Sequence, residues 1–221
     1  SILDDCSMGH ADTVPAGVRF VNGSLLNVSE VADALTGCDA VMHFAGKSLV
    51  GESVEKPDLY HSVNVNGTRI LLDEMRKQSI TKIVFSSSAA TYGEPKSVPI
   101  LETSETIPTN PYGATKLAID HMITAEAAAH GISAASLRYF NVAGCEFPDL
   151  ADTAELNLIP IAIGQLKRGD NPIVFGNDYP TPDGSCIRDY VHVGDLARAH
   201  LMAVDYLDAD TREYATFNVG S

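Results

Sequence analysis

Four apolar, β-branched runs alternate with helical patterns along this chain, and that alternation constrains the fold more than any other feature. The first run covers residues 18–21. The second is Asp39-Ala40-Val41-Met42-His43-Phe44, ending at Ala45-Gly46. The third is Lys82-Ile83-Val84-Phe85, ending in Ser86-Ser87-Ser88, and the fourth covers residues 133–139 before Phe140-Asn141. Strands that are apolar along their whole length belong in a parallel sheet with helices on both faces. Helical spacing fills the intervals: Val63, Gly67, Ile70, Leu71 and Met75 recur on one face. Asn110-Pro111 reads as an N-cap followed by proline at the first helical position; the helix then runs through Lys116 to His130 and stops at Gly131. A last helix is expected from about Asp195 to Tyr206. The β-α-β-α order predicts a doubly wound α/β fold.

After Asn141 the texture changes. Residues 145–190 are rich in loop signals, including Asp-Tyr-Pro-Thr-Pro-Asp-Gly at 178–184, with few long periodic runs. Two regions are therefore expected. Residues 1–141 form a Rossmann-type nucleotide-binding domain. Residues 142–221 form an interleaved substrate-binding region with a returning helix and strand. The opening Ser1-Ile2-Leu3-Asp4-Asp5 reads as the end of a strand, and Thr216 to Ser221 as a strand running into a loop. The expectation is a piece of a longer chain that lacks the first strand of the sheet, its glycine-rich phosphate loop and a C-terminal part.

Composition narrows the function classes. The 221 residues carry 15 Lys+Arg against 29 Asp+Glu, a net charge of −14. Such an acidic surface argues against a nucleic-acid partner and against an anionic membrane. No apolar run approaches the roughly 20 residues that cross a bilayer, and Ser1 to Cys6, with acids and no basic stretch before an apolar run, do not read as a secretory signal. Cys6, Cys38, Cys145 and Cys186 show neither CxxC spacing nor a Cys/His cluster, so no metal site is expected and a reducing cytoplasm fits them.

Ligands of open α/β sheets bind beyond the carboxyl ends of the strands. Asp4-Asp5, Ala45-Gly46, Ser86-Ser87-Ser88 and Asn141 all fall at such ends. Each alone is also an ordinary turn former or solvated loop residue; four on one edge favour a site. A carboxylate at Asp4 suits the ribose hydroxyls of NAD and repels the 2′-phosphate of NADP. Tyr112 and Lys116 stand four residues apart at the start of a predicted helix, hence on one face. A phenol with a pKa of about 10 is a poor base at neutral pH. A nearby ammonium stabilises the phenolate, and the charge of an oxidised nicotinamide would add to that. The pair can then remove or return a hydroxyl proton. YxxxK alone also arises by chance, as a buried aromatic beside a surface lysine; Ser88 supplies the hydroxyl that completes a site.

Ser88 with Tyr112-Gly113-Ala114-Thr115-Lys116 resembles the Ser/Tyr/Lys site of extended short-chain dehydrogenases/reductases. Further stretches narrow the resemblance to the family of UDP-glucose 4-epimerases: His43 to Gly46 with Val50 to Ser53, Ser86 to Ala89 with Tyr92-Gly93, and Leu137 to Asn141. The most specific is Phe175 to Thr181, then Asp183-Gly184 and Arg188 to Val193. The resemblance implies that Asp4, Leu25, Phe44, Ala45, Gly46, Ser88, Tyr112, Lys116 and Phe140 bind NAD. It implies that Ser88, Asn141, Asn157, Leu158, Phe175 and Arg188 meet a UDP-sugar, with Arg188 on the diphosphate. An Arg beside Asp189 is equally an internal ion pair on its own reading. Tyr112 would take the proton of the sugar 4-hydroxyl while C4 gives a hydride to NAD; the 4-keto sugar turns over, and hydride returns to the opposite face. The family also implies a homodimer. Three positions depart from it: Ser24 where a carboxylate is frequent, Val63 where an asparagine is frequent, and Lys47 one place early. A 4,6-dehydratase of the same superfamily is the nearest rival, but Ala89-Ala90-Thr91 offers no acid to eliminate water. A non-catalytic dinucleotide-binding protein would commonly lose Tyr112 or Lys116.

Overall fold

The structure, a computed structural model, describes residues 1–152, 154–208 and 214–221. Its first half alternates strands and helices: β1 (Ile2–Asp4), β2 (Phe20–Asn22), α1 (Val28–Leu35), β3 (Val41–His43), α2 (Val50–Glu55) and α3 (Pro57–Tyr60). A wide π-helical turn, His61–Asn66, leads into α4 (Gly67–Lys77) and β4 (Lys82–Ser86). Helix α5 (Pro111–His130) and strand β5 (Ser133–Tyr139) follow. The rest comprises β6 (Asn141–Ala143), α6 (Leu158–Arg168), β7 (Tyr190–His192), α7 (Val193–Asp208) and β8 (Tyr214–Val219).

All named strand pairs are parallel. The main sheet has the order β3-β4-β5-β8, with Met42 beside Val84, Ile83 beside Ala134 and Ser136 beside Thr216. Side chains along a strand alternate between faces, and here the alternation sorts the core. Ile83, Phe85 and Ala134 pack with Ile119 and Ile123 of α5 and with Leu71, Leu72 and Met75 of α4. Val84, Ala135 and Leu137 pack on the other face against Ala203 and Leu207 of α7. Covering both faces is what the continuous apolar runs require. Burying a side chain of Ile or Phe size stabilises by roughly 1.5–3 kcal/mol, so this sandwich holds α5 firmly against the sheet.

Strands β1 and β2 form a separate two-stranded parallel sheet. Between it and β3 lies a cavity of about 660 Å³, walled by Ile2 and Leu3, by Val31 and Leu35 of α1, and by Val41 and Met42. A third pair, β6 with β7, sets Asn141 opposite Tyr190.

Helix α5 forms as its sequence predicts. The Asn110 side chain accepts a hydrogen bond from the Gly113 amide at 2.8 Å, Pro111 occupies the first turn, and Gly131 closes the helix at φ 68°. Such a cap contributes about 1 kcal/mol. Helix α6 was not foreseen in the loop-rich region. Ile159, Ile161 and Ile163 alternate as in a strand, which masks the helix; Gly169 ends it in the left-handed conformation at φ 82°.

Candidate functional site

Because the main sheet is parallel, the carboxyl ends of β3, β4 and β5 share one edge. Phe44-Ala45-Gly46 leave β3 there, Ser87-Ser88 leave β4, and Phe140 leaves β5. Helix α5 lies against the α4 side of the sheet and brings Tyr112 and Lys116 to the end of β4. Both are buried, at 8% and 4% exposure. The Tyr112 amide donates to Ser53 Oγ of α2 at 3.2 Å, which fixes the first turn of α5. Lys116 Nζ donates to the Ser86 carbonyl at 2.8 Å and lies 4.9 Å from the Phe85 ring centroid and 5.9 Å from that of Tyr112. Ser88 accepts at Oγ from the Ala90 amide and starts a short 3₁₀ turn, Ala89–Thr91.

The electrostatics differ from the sequence expectation. Burial pushes the Tyr112 phenol up to about 12, with the Ser88 side chain opposing that rise. Burial also brings the Lys116 ammonium down to about 8. Desolvation disfavours whichever form is charged, and it is the largest cause at both residues. The paired spacing is present; the lowered tyrosine pKa is not.

Asp4 ends β1, exposed, with Oδ1 accepting from the Cys6 amide at 2.7 Å. Asp4, Leu25, Phe44, Ala45 and Gly46 all line the large cavity, although Tyr112, Lys116 and Ser88 stand outside it. Asp4 offers hydroxyl acceptors, Leu25 an apolar wall and Gly46 close backbone approach. These groups, at or just after the ends of β1, β2 and β3, fit the adenosine half of a dinucleotide such as NAD; the apolar part of the cavity, between the strands themselves, takes no part in that.

Three further residues belong to this edge and were missed from the sequence. Asn64, in the π-helical turn, accepts from the Lys47 amide at 2.7 Å, and its Nδ2 donates to the Lys47 carbonyl and to Thr115 Oγ1, both at 3.0 Å. It clamps the Gly46-Lys47 loop to the residue beside Lys116. A Cβ on Gly46, at φ 153°, would meet Asn64 Oδ1 at 2.9 Å. The signal was the Asn-Val-Asn-Gly run at 64–67, directly after Val63. His43 bonds Thr68 Oγ1 at 2.8 Å, and burial pulls its pKa down to about 3. His200 of α7 bonds Ser86 Oγ at 2.7 Å, and its ring lies 4.6 Å from that of Phe44, tilted by 34°.

The sugar-nucleotide candidates are looser. Asn141 starts β6 and donates from Nδ2 to the Asp189 carbonyl at 2.9 Å, which brings it beside Arg188. Arg188 donates to the Ile187 carbonyl and forms no salt bridge with Asp189 among the described residues. Asn157 and Leu158 stand exposed at the start of α6, and Phe175 is 86% exposed. No hydrogen bond joins Asn157, Leu158, Phe175 or Arg188 to Ser88, Tyr112 or Lys116 among the described residues.

A doubly wound sheet with a Ser/Tyr/Lys cluster at its carboxyl edge defines a nucleotide-binding α/β protein of the short-chain dehydrogenase/reductase kind, and the chain belongs to the NAD dependent epimerase/dehydratase family, whose pattern matches residues 3–220. It is 47% identical to UDP-glucose 4-epimerase of Corynebacterium glutamicum, over 100% of this chain and 67% of that protein. It is 51% identical to UDP-glucose 4-epimerase of Streptomyces lividans, over 92% of this chain and 63% of that protein. Among solved structures, UDP-glucose 4-epimerase from Brucella ovis in complex with NAD superposes with TM-score 0.92 at 42% identity, covering 99% of this chain and 68% of that one. The chain thus spans about two thirds of the length of these relatives.

Proposed function

We propose that this chain carries the catalytic centre of a UDP-glucose 4-epimerase, interconverting UDP-glucose and UDP-galactose with bound NAD. The observation that carries the reading is the convergence of Ser88, Tyr112 and Lys116 at the end of β4 in a chain up to 51% identical to such enzymes. Asp4 and Leu25 would hold the adenosine end of NAD, Phe44, Ala45 and Gly46 its middle, and Ser88, Tyr112, Lys116 and Phe140 its nicotinamide end. When bound, NAD supplies a reversible hydride acceptor. Tyr112 takes the proton of the sugar 4-hydroxyl and later returns it. Lys116, one turn on, holds positive charge beside the phenolate and so lowers the cost of forming it. Ser88 orients the C4 oxygen by hydrogen bonding. Asn141, Asn157, Leu158, Phe175 and Arg188 face the UDP-sugar, and a guanidinium fork at Arg188 suits the diphosphate.

The 3₁₀ turn after Ser88 carries only Ala89, Ala90 and Thr91, which favours epimerisation over dehydration. The unpaired edges of β1 and β3 face the same cavity, and one further parallel strand between them would join the sheets into a single Rossmann-type sheet. The expected homodimer has apolar surface available at Val50, Val54 and Leu59, exposed on α2 and α3. The test uses the full-length protein as purified. UDP-galactose should turn over without added cofactor, and denaturation should release NAD. Turnover that needs added NAD in stoichiometric amounts, or loss of water from the sugar, would overturn the reading.

A further inference from the structure

Among the described residues, two carboxylates are buried. Glu74 pairs with Lys77 at the surface of α4. The other is Asp120, 2% exposed and one turn beyond Lys116 on the same face of α5. All of its contacts are inward. Oδ1 accepts from Ser136 Oγ at 2.5 Å; Oδ2 accepts from Arg138 Nη2 at 2.9 Å and Nε at 3.1 Å, and from Ser87 Oγ at 3.3 Å. Strand parity explains the set: Ser136 and Arg138 share the face of β5 that Ala134 turns toward α5. Ser87 lies between Ser86, whose carbonyl receives the Lys116 ammonium, and Ser88. One carboxylate therefore holds the strand end that carries Ser88, and its charge acts on the Lys116 ammonium one turn back on α5.

We infer that Asp120 is a positioning residue of this centre: it keeps the buried Lys116 side chain charged and locks the end of β4, while Arg138 fixes the carboxylate. The inference rests on Tyr112 and Lys116 being the working pair. A buried ammonium tends to lose its proton because desolvation penalises the charged form. That is the direction burial drives Lys116, and the charge of Asp120 is what opposes it. The other titratable groups around Lys116, Tyr112 and Ser86 do not do this work. Tyr112 of α5, Tyr60 of α3 and Tyr139 of β5 have phenols that burial pushes up, so they are neutral. His43 of β3 and His200 of α7 are pushed down and neutral near pH 7. Arg138 of β5 is itself positive.

The test measures kcat and KM against pH for the full-length holoenzyme and its Asp120→Asn, Asp120→Glu and Arg138→Gln variants. An inactive wild type would remove the epimerase reading and is scored separately. With an active wild type, Asp120→Asn should lower kcat about tenfold near pH 8 and leave KM within about threefold. Its alkaline limb should move down by about one pH unit, because Lys116 loses its proton sooner. Asp120→Glu should restore most of the turnover. Arg138→Gln should move the alkaline limb up, because the carboxylate then serves the ammonium alone. A purely structural ion pair predicts otherwise: Asp120→Asn and Arg138→Gln both melt lower and the alkaline limb moves in neither. That result overturns the inference, as does failure of both variants to accumulate as soluble protein.

Discussion

Tyr112 and Lys116 are almost wholly buried, whereas Phe175 and Leu158 are 86% and 61% exposed, although both groups are assigned to one reaction. The first group sits on a capped 20-residue helix pressed between sheet and neighbouring helices, and its polar atoms reach backbone and buried side chains. The second sits on the exposed start of α6 and in the segment 170–189, which carries no helix or strand. The difference teaches where precision is needed. Proton transfer demands hydrogen-bond distance and a tuned charge, so its groups are built into the core. Holding a nucleotide diphosphate, the role proposed for the second group, needs no buried charge, and those residues lie on exposed surface.

Substitutions on the two sides should therefore fail differently. Tyr112→Phe in the full-length protein should keep NAD but lose turnover by about 10²–10⁴-fold, the usual worth of a general base; retention within about threefold would remove the distinction. Lys116→Met should move the acid limb of kcat to higher pH, because burial already pushes Tyr112 up and no charge then remains to oppose it. A superimposable profile would separate the two residues. On the exposed side, Arg188→Gln should raise KM for UDP-galactose by roughly 10-fold, the worth of a charge-assisted hydrogen bond, with kcat changed little. A fall in kcat without a rise in KM would place Arg188 with the buried group.

A further effect concerns stability. His43 has a pKa of about 3 when folded against an ordinary 6.5. Between those values the unfolded chain binds the proton and the folded one does not, so stability is lost as pH falls from about 6.5 toward about 3. His43→Gln should flatten the dependence of the melting temperature on pH over that window; an unchanged slope would show that His43 is not held neutral.

The contrast also explains what could be read in advance. The limits of α5 follow from Asn110, Pro111 and Gly131, and those of β5 from the Gly131 stop before it and Phe140-Asn141 after it; both are local signals, and both elements appear where expected. The catalytic candidates were legible for the same reason, since a four-residue interval on a helix fixes a shared face. Asn64, His43 and His200 were not legible. Their partners Thr115, Thr68 and Ser86 lie 51, 25 and 114 residues away, and nothing local encodes such pairings. The pKa of Tyr112 was misjudged because burial is a property of the packed structure. Helix α6 was missed because alternating isoleucines imitate a strand.

One tie has a consequence for how the protein is made. The Tyr92 hydroxyl donates to Asn218 Oδ1 at 2.7 Å, across 126 residues, and Asn218 Nδ2 donates to the Ile100 carbonyl at 2.9 Å. These bonds fasten the stretch leading into α5 to the last strand, β8. Contacts so distant in sequence form late, because the intervening chain must first be ordered. During synthesis, therefore, Ser88, Tyr112 and Lys116 leave the ribosome well before the strand that anchors their surroundings. The site should mature only once residues 214–219 have paired with β5, and a nascent chain stalled before them should expose the entrance to α5 to proteolysis.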